Sequence, residues 1–421
     1  MKLHTIREID MRALRGKRVL LRVDFNVPMG EKGVFDDTRM RAALPTINYL
    51  RRAGAKMILV SHLGRPAPAS SSRLTPAQFQ TICKKNKMFS LKRVASYLET
   101  LTQGVRFADD PIGSEALART LGAAKDGSVT LLENIRFYPG EEKNDAKFVE
   151  ALAELADFFV NDAFSASHRA HASVAGVAKL LPSYAGLLVE KEVEALGGLL
   201  GKPKTPFVVM LGGAKIADKV GVIRSLSKRA DKILLGGALI NSFYMAMGCD
   251  VGASMVEEKG IQIVKRLLKN KKIVLPTDVV VGDVRDPGRN GYVVNLNLRR
   301  GNGKKEVGII CSAPYAIYDI GPKTILEYAK VIKKAKTLVW NGPLGMYEIE
   351  KFSHGTLALG RLFASRSCGR AFGIAGGGET LHALKLTGMG SCVDWISTGG
   401  GAMLEFLEGK TLPGLKLLLK K

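Results

Sequence analysis

The sequence predicts an α/β protein with two domains, each a parallel β-sheet flanked by helices. Short β-branched runs alternate with longer amphipathic stretches along all 421 residues, as in repeated βαβ units. In the first half these runs end in polar and basic residues, whereas in the second half they end in glycine turns. Because ligands of open α/β sheets bind beyond the carboxyl ends of the strands, we expect two domains with different kinds of site.

The expected strands recur along both halves of the chain. The candidates in the first half are residues 18–23, 56–61, 128–132 and 157–161. Those in the second half are residues 206–211, 231–235, 273–281, 337–340, 371–375 and 393–397. Two stretches break the alternation. We expect residues 67–90 to form an irregular, basic surface insertion and residues 283–312 to form a hairpin.

The domain boundary is expected near Pro182, which precedes the helical pattern YAGLLVEKEVEALGGLL. We therefore predict an N-terminal domain over residues 1–182 and an interdomain helix over residues 183–200. A C-terminal domain follows over residues 201–404.

Composition limits the class of protein. Hydrophobic residues make up 46% of the chain and charged residues 24%, which indicates a globular protein. No apolar run approaches the roughly 20 residues that span a bilayer, and the charged N-terminus lacks a signal-peptide core. The five cysteines are scattered and never spaced C-x-x-C, which argues against disulfides or zinc and favours the cytoplasm.

The net charge is the unusual feature of the composition. The 63 lysines and arginines outnumber the 39 acidic residues and leave a charge of +24 at pH 7. Such an excess is compatible with nucleic acid, an anionic membrane surface or small anionic substrates. Composition alone does not choose among these three classes of partner.

Five strands of the second half run into glycine turns, namely VVMLGGAK, ILLGGALI, LVWNGPLG, FGIAGGGET and WISTGGGA. A glycine turn before a helix lets backbone N–H groups face a phosphate, and Lys215 and Lys219 lie one helical turn apart at such a start. One G-G pair is usually only a tight turn, but five of them after strands favour a nucleotide phosphate site. The sequence lacks the Walker A, dinucleotide-binding and protein-kinase motifs.

Arginines recur in the first half, and most of them lie at or just past a predicted strand end. Arginine binds phosphate and carboxylate oxygens through two parallel hydrogen bonds. One such arginine usually forms a surface salt bridge, but several at strand ends predict a pocket for a small anion with more than one acidic group. The residues of this predicted pocket are Arg22, Arg39, Arg65, Arg136 and Arg169, with Asp24, Asn26 and His62.

Nine motifs then occur in a fixed order: RVDFNVP, SHLGRP, LLENIRF, DAFSASHRAHAS, GGAKIADK, DIGPKT, WNGPLGMYE, GGGET and STGGGAMLEFLEGKTLPG. Together they closely resemble the phosphoglycerate kinase family over the whole chain except residues 67–90 and 283–312. The resemblance implies two Rossmann-like domains joined by a hinge, with a tail, residues 405–421, that packs back on the first domain. It also implies reversible phosphoryl transfer between 1,3-bisphosphoglycerate and ADP, which gives 3-phosphoglycerate and Mg-ATP by direct in-line transfer with domain closure.

The matching motifs carry the family's site residues onto this sequence. Those implied to bind phosphoglycerate are Arg22, Asp24, Phe25, Asn26, Arg39, His62, Leu63, Gly64, Arg65, Arg136 and Arg169. Those implied to bind the nucleotide are Gly213, Ala214, Lys215, Lys219, Gly237, Asn341, Pro343, Glu348, Gly377, Gly378, Glu379 and Thr380. Catalytic roles are implied for Arg39, Lys215, Lys219, Gly378 and Gly401. The implied cofactor is Mg²⁺, bound with the nucleotide near Glu379.

The sequence departs from the family pattern at three places. Glu379 stands where the family's GGGDT motif has aspartate, so the metal would shift or be met through water. Ser165 and Ala166 stand where Gly-Thr is common. The insertion over residues 67–90 follows SHLGRP directly and is placed to cover or crowd the substrate mouth.

Two other functions are compatible with the sequence. The basic runs KKNKMFSLKR, KRLLKNKK and LRRGNGKK are candidate nucleic-acid patches, but they lack interleaved aromatic residues and a known binding fold. An inactive scaffold of the same family is weakly allowed by the change in GGGET. We expect a monomeric kinase that binds neither nucleic acid nor membranes.

Overall fold

Two six-stranded parallel sheets organise the chain. The computed structural model describes residues 1–31, 33–69, 71, 74–289, 291–296 and 308–420, and these fall into two units. The first unit consists of residues 1–194 and the tail after Lys410, and the second consists of residues 195–410. The predicted α/β class with parallel sheets is confirmed.

The strands of the first unit are β1 Arg18–Arg22, β2 Met29–Gly30, β3 Gly33–Val34, β4 Lys56–Val60, β5 Val105–Ala108, β6 Val129–Leu132, β7 Phe158–Asn161 and β8 Ser183–Ala185. Six of them form a sheet in the order β5-β6-β4-β1-β7-β8, and every neighbouring pair is parallel. Arg22 lies beside Val60 on one side and Asn161 on the other, so β1, β4 and β7 end at a common edge. Strands β2 and β3 form a separate antiparallel ribbon.

The helices of this unit are α1 Met11–Leu14, α2 Thr38–Arg52, α3 Pro76–Lys85, α4 Lys92–Leu101, α5 Glu115–Gly122, α6 Pro139–Lys143, α7 Ala146–Ala153 and the first part of α8 Leu187–Leu200. Successive side chains of β1 point to opposite faces of the sheet. Val19 and Leu21 pack with α2 and α4, whereas Leu20 packs with α3, α5 and α7. The sheet is therefore covered on both faces.

Helix α8 begins in the first unit, and the boundary between the units falls within it, after Glu194. Its first turn is capped by two buried side chains. The Thr46 hydroxyl accepts from the Leu187 amide at 2.9 Å, and Asp162 Oδ1 accepts from the Leu188 amide at 2.9 Å.

The tail belongs to the first unit. Leu419 forms an antiparallel bridge with Leu3, and the Gly414 carbonyl accepts from the Asn161 side-chain amide at 2.9 Å. Leu412, Leu415 and Leu418 around the short helix Pro413–Lys416 are buried.

The strands of the second unit are β9 Phe207–Leu211, β10 Lys232–Leu235, β11 Asp250–Val251, β12 Ile273–Val274, β13 Asp278–Asp283, β14 Gly291–Asn295, β15 Ile309–Cys311, β16 Tyr315–Ile320, β17 Thr337–Asn341, β18 Phe372–Gly376 and β19 Trp395–Ser397. The main sheet is parallel throughout, in the order β12-β10-β9-β17-β18-β19. Numbered within this sheet, the order is 3-2-1-4-5-6, which is that of the Rossmann fold. The strand order therefore reverses between β9 and β17.

The helices of the second unit are α9 Ala217–Leu226, α10 Leu239–Met247, α11 Ile261–Leu267, α12 Pro322–Lys334, α13 His354–Ser367, α14 Gly378–Leu386 and α15 Gly401–Leu407. Strands β14, β13 and β16 form an antiparallel sheet, and β11 pairs with β15. Of the hairpin predicted over residues 283–312, only β14 lies within these bounds, and it pairs with β13, which begins earlier, at Asp278. Ile309–Cys311 is β15, which pairs with β11, and residues 290 and 297–307 lie outside the described residues.

The structure corrects three details of the sequence prediction. The expected strand 273–281 is two strands of different sheets, because Pro276 interrupts the run and removes a backbone donor. The insertion expected to be irregular contains α3, whose Thr75 and Gln78 form a capping box and whose Phe79 is buried. The segment 183–185, expected within the interdomain helix, is strand β8.

Candidate functional site

The first candidate site lies beyond the common edge of β1, β4 and β7 in the first unit. Asp24 is its central carboxylate and is buried. Its Oδ2 atom accepts from Arg39 at 2.7 Å and from the Ser165 hydroxyl. Its Oδ1 atom accepts from the backbone N–H of Asn26 at 3.0 Å. Burial alone would raise the pKa of Asp24, but the charge of Arg39 and the bond from Ser165 outweigh it and lower the pKa. Asp24 is therefore an anion that holds Arg39 in place.

His62 is a neutral donor in this site. One Arg22 nitrogen lies 3.2 Å from His62 Nδ1, and because arginine only donates, Nδ1 accepts and the proton resides on Nε2. Burial and the nearby charges of Arg22, Arg136 and Arg169 hold the pKa of His62 well below its usual range, against the opposing effect of Asp24. At neutral pH His62 therefore offers an N–H group without adding charge.

Arg22 is buried, and protein groups occupy its guanidinium. It donates to the Ser173 hydroxyl at 2.9 Å and to the Val23 carbonyl. Ser173 in turn donates to Glu141 at 2.6 Å, and His171 lies 3.7 Å from the same carboxylate. Arg22 therefore joins residues of the site to one another from a buried position beneath it.

Arg136 and Gly64 link two loops of the site. Arg136 donates to the Gly64 carbonyl at 2.5 Å and lies 3.3 Å from Glu142, while Asn26 Oδ1 accepts from the Gly64 amide at 2.8 Å. Arg65 follows in the same loop and is exposed.

The remaining predicted residues of this site differ in what they can offer a ligand. Arg169 is half-buried, and its Nε atom lies 3.3 Å from His168 Nε2. Phe25 and Leu63 are buried in the unit, so they can reach a ligand only through their backbone groups.

Sequence reasoning did not select Ser165, Glu141 or Ser173 as members of this site. Ser165 lies 141 residues from Asp24, and Glu141 lies 32 residues from Ser173. The buried carboxyl of Glu141 keeps a lowered pKa because His171, Arg22 and Ser173 offset the effect of burial. The signals in the sequence were their position within or next to motifs that carry an arginine and, for Ser165, its departure from the family pattern.

The second candidate site lies in the second unit at the point where the strand order reverses. The turns after β9, β17 and β18 meet there, together with the start of α15. They enclose a cavity of about 350 Å³ lined by Gly212, Gly213, Ala214, Lys215, Asp218, Lys219, Asn341, Gly342, Gly377, Gly378, Glu379, Thr380, Gly400 and Leu404. Nine of the twelve predicted nucleotide-binding residues are in this set, and the other three, Gly237, Pro343 and Glu348, are not.

Bare backbone forms much of this second site. Helices α14 and α15 begin at the cavity, and the residues before them, Gly377 and Gly400, have positive φ angles of 100° and 51°. The amide groups of these helix starts are suited to phosphate oxygens. Gly237 packs against the turn, because a β-carbon on it would lie 2.6 Å from the Gly213 nitrogen and 2.7 Å from the Pro343 carbonyl oxygen.

Two lysines supply the positive charge of this cavity. Lys215 is exposed, whereas Lys219 is buried and donates to Asn341 Oδ1. Burial lowers the pKa of Lys219 to about 8, although the charges of Asp218 and Glu379 oppose the shift. Lys219 is therefore mostly protonated at pH 7 but close to its titration range.

A larger cavity of about 900 Å³ lies at the other end of the same sheet. It is lined by residues at the amino ends of β9, β17, β18 and β19, among them Lys204, Lys336 and Phe372. Ligands of this fold bind at the carboxyl ends of strands, so the smaller, glycine-lined cavity is the candidate site.

No cluster of three metal-ligating side chains occurs among the described residues. Within the same residues, no helix has the length and apolar character needed to cross a membrane. Glu379 is exposed in the first turn of α14, and Asp218 lines the same cavity. This carboxylate set fits Mg²⁺, which is usually held by one or two carboxylates together with substrate phosphates and waters.

One sheet carries an arginine-lined site and the other a site of lysines and glycine-capped helix starts, and both suit the oxygens of phosphorylated molecules. Residues 7–410 match the family described as Phosphoglycerate kinase. The phosphoglycerate kinase of Pelotomaculum thermopropionicum is 44% identical over 422 residues, 99% of each chain, and that of Borreliella burgdorferi is 43% identical over 418 residues, 97% of this chain and 98% of the other. The chain therefore belongs to the phosphoglycerate kinase family.

Solved structures agree with this assignment. The phosphoglycerate kinase of Coxiella burnetii is 35% identical with a TM-score of 0.81, and the match covers 99% of both chains. That of Pyrococcus horikoshii OT3 is 31% identical with a TM-score of 0.80, over 99% of this chain and 98% of the other. The family predicted from the motifs is confirmed, and with it the activity of a glycolytic kinase that binds ATP and transfers a phosphoryl group reversibly.

Proposed function

We propose that this chain moves a phosphoryl group between the acyl phosphate of 1,3-bisphosphoglycerate and ADP, with each substrate held on a different unit. The observation that carries the proposal is the contrast between the two carboxyl-end sites. One presents arginine, histidine and asparagine side chains around Asp24, and the other presents lysines and backbone amides around an open cavity. Both sets suit oxygen-rich anions, but the first suits a compact acid and the second a chain of phosphates.

In this proposal the first site holds the phosphoglycerate. Asn26, His62, Arg65, Arg136 and Arg169 donate to its carboxylate, hydroxyl and phosphate oxygens, and Gly64 contributes backbone. Asp24 accepts from the substrate hydroxyl and fixes Arg39, whose remaining donors point at the transferring group. Arg22, Phe25 and Leu63 act through the positions they impose on their neighbours, which their burial supports.

The second site holds the nucleotide. Lys215 reaches the transferring phosphoryl group and Lys219 the adjacent phosphates, while Gly378 and Gly401 offer amide groups at the starts of α14 and α15. Gly213, Ala214, Gly237, Asn341, Pro343, Gly377 and Thr380 line the remaining nucleotide surface, and Glu348 binds the ribose. Glu379 holds Mg²⁺, directly or through water. The ion supplies positive charge to the phosphate oxygens when it is bound.

The reaction needs alignment and charge neutralisation more than proton transfer. The attacking group is an oxygen of the ADP β-phosphate, which is already an anion, so no general base is required. Arg39, Lys215 and the two glycine-capped helix starts surround the charge of the migrating group. Since the substrates bind to different units, the units close during the reaction to align them and to exclude water. Helix α8, which both units share, is the proposed hinge.

A coupled assay of ATP formation from ADP and 1,3-bisphosphoglycerate tests the proposal. We expect turnover that depends on Mg²⁺, and the reverse reaction with 3-phosphoglycerate and Mg-ATP. Absence of turnover, combined with salt-sensitive binding of nucleic acid, would instead support the binding-protein alternative. We also propose a monomer that acts in the cytoplasm, which light scattering and cell fractionation would check.

A further inference from the structure

The inserted segment after SHLGRP ends against the loop that carries His62 and Arg65. Within it, the turn Lys87–Phe89 follows α3, and the half-buried Phe89 ring lies over Gly64. A β-carbon on residue 64 would lie 2.5 Å from two atoms of that ring, and Gly64 has a φ of +61°. The contact therefore leaves no room for a side chain at position 64.

Three groups fix Gly64 at once. Its amide donates to Asn26 Oδ1 at 2.8 Å, its carbonyl accepts from Arg136 at 2.5 Å, and the Phe89 ring closes its remaining side. Asn26 and Arg136 are themselves proposed substrate ligands. Through Gly64, the position of Phe89 is thus coupled to Asn26 and Arg136.

Asn134 joins the segment to the loop by hydrogen bonds. Its side-chain amide donates to the Leu63 carbonyl at 2.8 Å and to the Phe89 carbonyl at 2.9 Å. The adjacent Glu133 is buried and accepts from the Ser90 hydroxyl at 2.6 Å and from the Leu91 amide at 2.8 Å. Residues 89–91 are therefore held at the carboxyl end of β6, with the loop 61–65 directly beside them.

We infer that Phe89 is a positioning residue for phosphoglycerate binding, which holds the loop 61–65 so that His62 and Arg65 face the substrate. The inference rests on the proposed function of the first site. It assigns a role to the C-terminal end of the segment 67–90, where the Phe89 ring contacts the loop 61–65 at Gly64. Phe79 anchors the middle of the segment, since it lies in α3, is buried in the unit's core and stacks with Tyr138 at a centroid distance of 5.4 Å.

The test compares Phe89→Ala with Phe79→Leu, a variant that weakens the same segment at a ring that stacks on Tyr138 and not on Gly64. We expect Phe89→Ala to raise the KM for 3-phosphoglycerate about tenfold, below the roughly hundredfold cost of a 1 Å misplacement, with the KM for ATP unchanged. Phe79→Leu should lower the melting temperature and leave both KM values unchanged. Phe89→Tyr, which keeps the ring, should restore the parent KM.

Hydrogen exchange of the peptide containing residues 61–66 gives a readout that does not need catalysis. It should quicken in Phe89→Ala and not in Phe79→Leu. If Phe89→Ala does not fold, Phe89→Leu replaces it, with a smaller change of the same kind expected.

Failure of the inference is distinguishable from failure of the proposed function through Arg65→Ala. If Arg65→Ala raises the KM for 3-phosphoglycerate and Phe89→Ala does not, the inference is overturned. If exchange quickens in Phe89→Ala but neither variant changes that KM, Phe89 still holds the loop, and the assignment of the loop to phosphoglycerate is wrong.

Discussion

Ser165 donates a hydrogen bond to the same oxygen of Asp24 that accepts from Arg39. The motif resemblance places glycine at this position in the family pattern, and glycine has no side chain to donate. The serine thus adds a second donor to the oxygen atom that orients Arg39.

Removing that hydroxyl in Ser165→Ala should raise the KM for 3-phosphoglycerate several-fold, which is less than the roughly 1.5–3 kcal/mol typical of hydrogen bonds to charged groups, because Arg39 and the Asn26 backbone amide still hold Asp24. The pKa of Asp24 should also rise, because one cause of its depression is lost. Steady-state kinetics at pH 7 measure the first effect, and an NMR titration of the Asp24 carboxyl measures the second. Ser167→Ala is the matched control, since Ser167 donates to the Ala163 carbonyl and not to Asp24. Equal KM values in the two variants would count against the role of Ser165.

Arg39→Ala should lower kcat on the order of a hundredfold or more, as expected for one electrostatic donor to a transition state. The KM for ADP should change little, because the nucleotide is assigned to the other unit. Arg41→Ala serves as the control, since Arg41 pairs with Asp37 at 2.8 Å on the same helix and is exposed. Unchanged turnover in Arg39→Ala would remove it from the proposed machinery.

Glu379→Asp should remain active and change the Mg²⁺ concentration that gives half-maximal rate. Aspartate is one methylene shorter, so the carboxylate would meet the metal from a different distance. Titration of MgCl₂ at fixed ADP measures the effect, and Glu350→Asp is a control outside the cavity lining. Identical titrations for Glu379→Asp and the parent would mean that Glu379 is not near the metal.

Nucleotide affinity should fall as the pH rises through about 8. Burial lowers the pKa of Lys219 to that value, so its charge is complete below pH 7 and is lost above pH 9. The KM for ADP in the range pH 7 to pH 9 checks this expectation. Lys219→Arg should flatten the profile, because arginine stays protonated throughout. A parent profile as flat as that of the variant would contradict the assignment of Lys219 to the phosphates.

Asp162 should make the protein less stable as the pH rises from about 4 to 7. Burial raises its pKa to about 7, and its Oδ2 atom has no hydrogen-bond partner among the residues that the structure describes. The folded form therefore keeps a proton that the unfolded form loses, at a cost of up to about 1.4 kcal/mol per pH unit. In urea unfolding, the free energy of unfolding of Asp162→Asn should increase relative to that of the parent between pH 5 and pH 8. A constant difference would show that the carboxyl does not titrate in this range.

Local patterns were enough to predict most of the sheet framework and the positions of the glycine turns. Strand β1 follows from a single apolar run, and the turn before α14 follows from a single glycine cluster, so each depends only on residues that are adjacent in the sequence. Strand β8 was not predicted, because Ser183–Ala185 is short and is defined by its partner Phe159–Asn161. The capping box at the start of helix α3 was present in the sequence. The burial of Phe79 was not predicted, because polar residues surround it in the sequence.

The candidate sites divide in the same way. Arg39 and Lys219 stand in recognisable motifs, whereas the bonds from Ser165 to Asp24 and from Ser173 to Glu141 depend on chain folding over long separations. The pKa of Lys219 depends on burial that the GGAK motif does not reveal.

The return of the tail to the first unit has a consequence for the order in which the protein is made. Gly414 fits against Val174 and Ser167 with no room for a β-carbon, and Leu415 is fully buried. On the ribosome, residues 1–194 therefore emerge without part of their own core, and they wait until more than 200 further residues have been synthesised. The second unit is continuous in sequence and can complete its packing first. The first unit is therefore completed only after the second unit has been synthesised.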